Sequence, residues 1–239
     1  MDVETATQTD ALNASLIARD DINATLSIVR VRPDSGRVPD FKPGQFVRLG
    51  LPKPDQSPPA PGKPARVRFT RRAYSIASSP LVTDALEFFV VRIDEGALTP
   101  RLWEIPVGGR LWMEGEAKGF LEFAKGLDLV MVSTGTGIAP FLSMLRTFRH
   151  ERRWRRFVLI NGTRYASDLG YGDELAAICR EDPTVRYIPL VTREPEGSGY
   201  TGLRGRVQSV LEPDTYQRLV GAALDPAQCH VFLCGNPEM

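Results

Sequence analysis

The sequence predicts an antiparallel β-barrel followed by an α/β unit built on a parallel sheet. In the first half, short runs of branched and aromatic residues are separated by Pro, Gly and Asp, which is typical of barrel strands. In the second half, apolar strand segments alternate with helical segments. That alternation is typical of a parallel sheet covered by helices on both faces.

The predicted elements follow the chain in two series. The barrel strands are expected at 12–19, 24–31, 45–49, 72–77, 86–93 and 109–113. The second series is expected as strand 129–133, helix 138–150, strand 157–161, helix 167–181, strand 185–191, helix 202–211 and strand 230–234. These elements predict domains at 1–124 and 125–239, with an acidic, polar tail at 1–11. Six of the thirteen residues at 52–64 are proline, which indicates an extended surface loop rather than a ladder strand.

Composition excludes several classes of protein. With 30 basic and 29 acidic residues, the 239-residue chain has no global field that would favour nucleic acid or a membrane. The chain contains no run of 18 apolar residues, so no transmembrane helix is predicted. The three cysteines form no C-x-x-C pair, so no iron–sulfur cluster is predicted, and their number favours a reducing cytoplasm. The two histidines lack the spacing of metal ligands, so no metal site is predicted.

Residues 72–75, Arg-Ala-Tyr-Ser, are a candidate cofactor strand. In a strand, Arg72 and Tyr74 share one face, while Ala73 and Ser75 share the other. A guanidinium matches a phosphate, an aromatic ring can cover a flat heterocycle, and the Ser75 hydroxyl can donate to a ring nitrogen. The alternative is an ordinary barrel strand that ends in surface charge.

Residues 133–140, Ser-Thr-Gly-Thr-Gly-Ile-Ala-Pro, form a glycine loop between an apolar strand and an apolar helix. Gly135 and Gly137 allow a tight turn that approaches a ligand closely, and the helix that follows directs its first amides at this loop. Such a helix start attracts phosphate. The loop departs from the strict G-x-G-x-x-G pattern, and a plain glycine turn is the alternative.

These motifs, in this order, resemble the ferredoxin–NADP reductases, in particular their bacterial form. The resemblance extends over nearly the whole chain. Its further matching segments are 95–99, 161–164, 191–194, 205–206 and 234–239. It implies a flavoprotein that transfers electrons between NADP(H) and a one-electron carrier, ferredoxin or flavodoxin, through FAD. It also implies a monomer. Because relatives continue beyond the Cys-Gly-x-Pro-x-Met segment, it further implies that the C-terminal end is incomplete.

The resemblance assigns the site residues. Ser75 and Cys234 are implied to lie at the reacting rings. The implied FAD site comprises Arg72, Ala73, Tyr74, Ser75, Val90, Val91, Arg92, Gly96, Ala97, Leu98, Thr99 and Thr136. The implied NADP site comprises Gly135, Thr136, Gly137, Arg164, Thr192, Arg193, Arg206, Cys234 and Gly235. The residues themselves also favour a phosphate site, because a 2′-phosphate requires more than one cation, and Arg164 and Arg193 each follow a predicted strand; Arg206 is added by the family's Gly-Arg segment at 205–206. Solvated surface arginines are the alternative.

Two basic clusters are candidates for docking an acidic carrier. One comprises Arg149, Arg152, Arg153, Arg155 and Arg156, and the other comprises Arg66, Arg68 and Arg71. A solvated face is the alternative for both. Two other functions also stay open: an electron-transfer subunit of an oxygenase or a dihydroorotate dehydrogenase, and a cofactor-binding regulatory module without turnover.

Overall fold

A computed structural model of the chain describes residues 12–54, 67–119 and 121–239. The expected tail at 1–11, most of the proline-rich stretch, and Arg66 lie outside these ranges. The described residues form two sheets, one antiparallel and one parallel, in that order along the chain. The predicted order of an antiparallel unit and a parallel α/β unit is therefore confirmed.

The antiparallel sheet has six strands in the order β4-β3-β6-β1-β2-β5. Helix α1, Thr99–Trp103, lies between β5 and β6 in the chain. The strands are β1 Ala14–Asn23, β2 Leu26–Pro33, β3 Phe46–Pro52, β4 Phe69–Ser75, β5 Leu86–Val91 and β6 Arg110–Met113. Alternate residues point to one buried core, as the period of two in a β-strand requires: Val29 and Val31 of β2 and Val47 and Leu49 of β3 are buried.

A closed barrel, as expected from the sequence, is not formed. In the described residues, backbone pairing at this edge is limited to two residues that follow β4: Ile76 forms an isolated bridge with Phe88 of β5, and the Ala77 amide donates to the Glu87 carbonyl. If pairing continued in that register, Tyr74 would face Val90 and Arg72 would face Arg92. Among the described residues no strand pairing continues there. The sheet therefore has an opening between β4 and β5.

The parallel sheet has the order β10-β9-β8-β7-β11. Its elements in chain order are β7 Asp128–Thr134, α2 Ala139–Phe148, β8 Arg156–Thr163, α3 Gly172–Glu181, β9 Val185–Val191, β10 Leu203–Arg204, α4 Pro213–Val220 and β11 Cys229–Cys234. Strand β7 is apolar on both faces because both are covered. Leu129 and Met131 pack in the core that contains α2, whereas Val130 and Val132 pack in the core that contains Tyr216 of α4.

The prediction of a helix at 202–211 is wrong. Leu203 and Arg204 pair with Leu190 and Val191 as a short parallel strand. Gly205 then has a φ of +123°, which ends any regular element, and a 3₁₀ turn follows at Val207–Val210. The helix of this region instead begins at Pro213, where a missing amide costs no helical hydrogen bond. Of the described helices, none has the length and apolarity that crossing a membrane requires.

Candidate active site between the two sheets

Strand β4 arranges the Arg-Ala-Tyr-Ser motif with the alternation expected from the sequence. Arg72 and Tyr74 pair with the buried residues Leu49 and Val47 of β3, so they lie on the core-facing side of the sheet. The Tyr74 ring packs edge-on against Phe88, with the ring centroids 6.3 Å apart. Arg72 is exposed, and its guanidinium donates to the Arg71 carbonyl at 2.9 Å. Both side chains therefore lie beside the opening between β4 and β5.

The Tyr74 hydroxyl is buried and has no hydrogen-bond partner among the described residues. Burial raises the pKa of this hydroxyl to about 12, although the nearby Arg72 charge opposes the shift. The group is therefore a protonated donor at neutral pH. A buried polar atom without a partner costs about 1–3 kcal/mol. A ligand that supplies an acceptor here would remove that cost.

The other side of the opening is formed by the end of β5 and the loop after it. Val90 is buried in the core, whereas Val91 and Arg92 are exposed, and Arg92 forms an ion pair of 2.9 Å with Asp94. Thr99 closes the loop, because its hydroxyl accepts from the Ile93 amide at 3.0 Å and donates to the Ile93 carbonyl at 3.1 Å.

The remaining loop residues implied for FAD differ in exposure. Leu98 is buried, Ala97 is exposed, and Gly96 is half-buried. A Cβ on Gly96 would lie 2.8 Å from the Ile93 carbonyl oxygen. The hydroxyl of Thr99 and the side chain of Leu98 thus serve the turn and the core, so the backbone is what this loop offers to a ligand.

The glycine loop forms a 3₁₀ turn, Gly135–Ile138, that leads directly into α2. Gly135 has a φ of +53°, a left-handed conformation that favours glycine, and open space surrounds its Cβ position. A Cβ on Gly137 would collide with the Cys234 carbonyl, and one on Gly235 would collide with the Thr134 hydroxyl. The glycines therefore let the turn and the end of β11 approach each other closely.

Cys234 is partly buried beside this turn, and burial raises the pKa of its thiol. It pairs with Ser133 across the two strands, and it is a free thiol. Thr134 lies in the predicted glycine loop but was not among the assigned site residues; its hydroxyl accepts a hydrogen bond from the Asn236 amide at 2.9 Å. This contact holds the segment after β11 against the glycine turn, and no sequence pattern indicated it.

The three predicted phosphate-binding arginines lie at one edge of the parallel sheet. Arg164 directly follows β8, whereas Arg193 and Arg206 lie two residues beyond the ends of β9 and β10. The Arg193 amide donates to the Arg164 carbonyl at 2.8 Å, which joins the loop after β8 to the loop after β9. The Thr192 hydroxyl strengthens this connection by donating to the Thr163 carbonyl. All three side chains are exposed, and no carboxylate of the described residues forms an ion pair with them. This edge therefore presents unpaired positive charge.

The arginine cluster at 149–156 lies at the opposite edge, where β8 begins. Arg155 and Arg156 both bind the buried Asp128 at 2.7 Å, and Arg153 binds Glu151. Arg149 contacts Glu181 at 3.5 Å. A seven-residue strand separates the two edges by roughly 20 Å. The geometry therefore favours a structural role for this cluster.

The Arg-Ala-Tyr-Ser strand β4 and the glycine turn are brought together by one shared hydrophobic core. Ala77, two residues after Ser75, packs in the same cluster as Ile138 and Ala139, which directly follow Gly137. The two motifs, far apart in sequence, thus meet at the junction of the two sheets. A flat redox ring at one motif and a nucleotide at the other could come into contact there.

Comparison with known proteins agrees with this arrangement. Residues 131–239 match the family described as oxidoreductase NAD-binding domain. A flavodoxin/ferredoxin–NADP reductase of Escherichia coli is 32% identical over 203 residues, which are 83% of this chain and 75% of that protein. Ferredoxin–NADP reductase B of Sorangium cellulosum is 31% identical over 233 residues, covering 97% of this chain and 89% of that protein.

A solved structure gives the same result. A ferredoxin–NADP⁺ reductase from Neisseria gonorrhoeae with bound FAD and NADP is 31% identical, with a TM-score of 0.78. The match covers 95% of this chain and 85% of that one. The fold and the two motifs define an oxidoreductase that uses a flavin and a pyridine nucleotide. Within that class, the chain belongs to the flavodoxin/ferredoxin–NADP reductase family.

Proposed function

We propose that this chain transfers electrons between NADP(H) and ferredoxin or flavodoxin through FAD, with the units 1–124 and 125–239 holding FAD and NADP(H) respectively. The observation that carries the proposal is the meeting of the Arg-Ala-Tyr-Ser strand and the glycine turn in one core. When bound, FAD supplies the conversion between a two-electron hydride donor and a one-electron carrier.

The residues of the antiparallel unit fit a flavin dinucleotide. The Tyr74 ring lies beside the opening and can stack on a flat ring, and its hydroxyl, which has no partner in the part of the chain that the structure describes, supplies a donor. Arg72 supplies a cation for the pyrophosphate. The Ser75 hydroxyl is on the other face of β4, near its end. It is placed to donate to the edge of a ring that extends toward the parallel sheet.

The residues of the parallel unit fit a pyridine nucleotide with a 2′-phosphate. Amides of the turn Gly135–Ile138 hold the pyrophosphate, because the start of α2 carries partial positive charge. Arg164, Arg193 and Arg206 bind the 2′-phosphate, which carries close to two negative charges. Cys234 lies beside the glycine turn and borders the nicotinamide. The task of the protein is then to hold the two rings in contact and exclude water.

An absorption spectrum tests the proposal. We expect the purified protein to be yellow, to release one FAD per chain on denaturation, and to lose its flavin absorbance when NADPH is added without oxygen. Colourless protein that cannot be reconstituted with FAD would contradict the proposal. Bound FMN would contradict the dinucleotide assignment, and a flavin that NADPH does not bleach would favour a module without turnover.

The carrier is proposed to dock on the basic surface formed by Arg71, on the outer face of β4, and by Arg68, which directly precedes that strand. Both residues are exposed, and the Arg71 guanidinium stacks 3.9 Å from the centre of the Trp112 ring. This surface lies on the strand that carries the flavin motif, so an acidic carrier bound there would be close to the redox ring. Complementary charge of this kind accelerates association more than it strengthens binding.

Charge reversal tests this docking surface. We expect an Arg68→Glu/Arg71→Glu protein to reduce ferredoxin or flavodoxin about 10-fold or more slowly at low salt. Its reduction of a small neutral dye by NADPH should be unchanged. The deficit should shrink as salt rises, because exposed charges are screened beyond about 8–10 Å near physiological ionic strength.

The matched control is Arg180→Glu, which makes the same kind of change at an exposed position in the last turn of α3. That position lies near the edge of the parallel sheet where β9 begins, away from the proposed site. It should leave the carrier rate unchanged. A loss that is equally large with the dye, or independent of salt, would locate the damage in the flavin site and remove the case for docking.

A further inference from the structure

One face of α2 is bonded to the segment that directly follows β4. Residues three and four apart in a helix lie on the same face. Three hydrogen bonds join this face to the segment 77–79: Ser143 Oγ to the Ser78 carbonyl at 2.7 Å, Arg146 to the Ala77 carbonyl at 2.9 Å, and Thr147 Oγ1 to Ser79 Oγ at 2.9 Å. Each of these bonds crosses from the parallel unit to the antiparallel unit.

Arg146 is the centre of this junction. It donates to Glu87 of β5 at 2.7 Å and to Glu174 of α3 at 2.6 Å, in addition to the Ala77 carbonyl. Its side chain is only 22% exposed, and that of Glu87 is 6% exposed. Arg30 and the Tyr171 hydroxyl complete the bonding of Glu87. The guanidinium of this α2 residue therefore ties helix α3 of the parallel unit to strand β5 and to the segment after β4 of the antiparallel unit, in a largely desolvated place.

The elements that Arg146 joins also carry the two cofactor motifs. Ala77 lies two residues beyond Ser75, a reach of about 7 Å in extended chain. Helix α2 begins two residues after Gly137, so the glycine turn moves with the helix as one rigid body. A shift of Arg146 against the Ala77 carbonyl would therefore change the separation between the two motifs directly.

We propose that Arg146 is a positioning residue that sets the distance and angle between the flavin ring and the nicotinamide. The inference rests on the proposed function above. The step concerned is the transfer of a hydride from NADPH, which is oxidised to NADP⁺, to the flavin, which is reduced. Arg146 touches neither reacting ring; it acts through Ala77 and α2. A misplacement of 1 Å can cost on the order of 100-fold in such a step.

The test compares Arg146→Met with a control that removes a similar arginine elsewhere. In Arg155→Met the lost arginine also binds a buried carboxylate, Asp128, which is 4% exposed. After the control substitution Asp128 still has an ion pair with Arg156, just as Glu87 still has one with Arg30 after Arg146→Met. The control bonds lie within one unit, far from the junction. In Arg146→Met the buried Glu87 carboxylate loses one of its two arginine partners, which could prevent folding. A third protein, Glu87→Gln/Arg146→Met, removes that buried charge as well, so it provides a second junction variant that is expected to fold.

Four quantities are measured on each purified protein: the limiting rate of flavin reduction, the NADPH dissociation constant, the FAD content and hydrogen exchange. The limiting rate of flavin reduction at saturating NADPH, followed without oxygen, should fall about 10- to 100-fold in both junction variants. The NADPH dissociation constant and the FAD content should stay within about twofold. Hydrogen exchange should rise in residues 76–89 and 139–148 of the junction variants. The Arg155→Met protein should match wild type in every one of these values.

The outcomes separate the two proposals. If the wild-type protein lacks FAD or is not reduced by NADPH, the proposed function fails. If wild type is reduced normally and both junction variants reach its limiting rate, the positioning role is overturned. It is also overturned if the variants lose affinity for NADPH but keep the limiting rate, or if hydrogen exchange at the junction is unchanged.

Discussion

An Arg193→Ala protein is expected to bind NADPH about 10- to 150-fold more weakly than wild type, while its affinity for NADH stays the same. One charge-assisted contact to a phosphate is worth about 1.5–3 kcal/mol, which corresponds to that range in the dissociation constant. NADH lacks the 2′-phosphate and loses nothing. Titration of the oxidised protein with each nucleotide measures the two affinities directly.

Arg206→Ala should show the same selective loss, since Arg206 lies at the same edge of the parallel sheet. The matched control is Arg186→Ala. Arg193 lies just beyond the end of β9, whereas Arg186 lies near the beginning of the same strand, where its guanidinium donates to the Pro183 and Val185 carbonyls. The control should bind both nucleotides normally. Equal losses for NADPH and NADH in the Arg193→Ala protein would show that this arginine does not bind the phosphate.

The parallel unit was the easier half to predict from the sequence. A strand that is buried on both faces is nearly continuous in apolar residues, as β7 is, and a glycine turn followed by a proline marks the start of the next helix. These signals are local, so they can be recognised in the sequence without knowledge of the fold. The ends of the predicted strands then place Arg164 and Arg193 at one edge by topology alone, whereas strand β10, which brings Arg206 to the same edge, was not predicted.

The misplaced helix at 202–211 shows where local signals fail. Leu203 and Arg204 become a strand only because Leu190 and Val191 offer free backbone groups at the sheet edge, and no property of the segment itself indicates that. The true helix had a signal, because Glu212 is followed by Pro213 and Asp214, a common helix start. The open barrel could likewise not be predicted from local signals, because it depends on how β4 and β5 meet in the fold.

The junction at Arg146 could not be predicted for a different reason. Arg146, Glu87 and Glu174 are ordinary charged residues in sequence, and their pairing depends on the angle between two sheets. Burial disfavours the charge on Arg146, but bonds to Glu174 and Glu87 outweigh it and raise its pKa; Arg146 and Arg30 in turn lower the pKa of Glu87 against the effect of burial. Both shifts favour the charged forms of Arg146 and Glu87, and this ion pair joins the units that the sequence shows only separately.

The second large expected effect is a loss of FAD affinity on substitution of Arg72 and Tyr74 in strand β4. An Arg72→Ala/Tyr74→Ala protein is expected to bind FAD roughly 10²- to 10⁴-fold more weakly and to purify without colour. Loss of the cation costs about 1.5–3 kcal/mol, and loss of a stacked aromatic ring about 1–3 kcal/mol. The sum is approximate, because neighbouring residues are not strictly additive. Quenching of flavin fluorescence on titration of the FAD-free protein measures the affinity.

Tyr74→Phe separates the ring from the hydroxyl in this prediction. It keeps the stacking surface and the packing against Phe88, and it removes the hydroxyl that is buried without a partner in the described residues. If FAD accepts that hydroxyl's hydrogen bond, affinity should fall by about 0.5–1.5 kcal/mol, roughly 2- to 13-fold. If the hydroxyl has no role, removing an unsatisfied buried group should instead stabilise the FAD-free protein and leave affinity unchanged. Binding of 2′,5′-ADP, which needs only the parallel unit, should be normal in both the Arg72→Ala/Tyr74→Ala and the Tyr74→Phe protein; its loss would mean that the substitutions had unfolded the protein rather than emptied the flavin site.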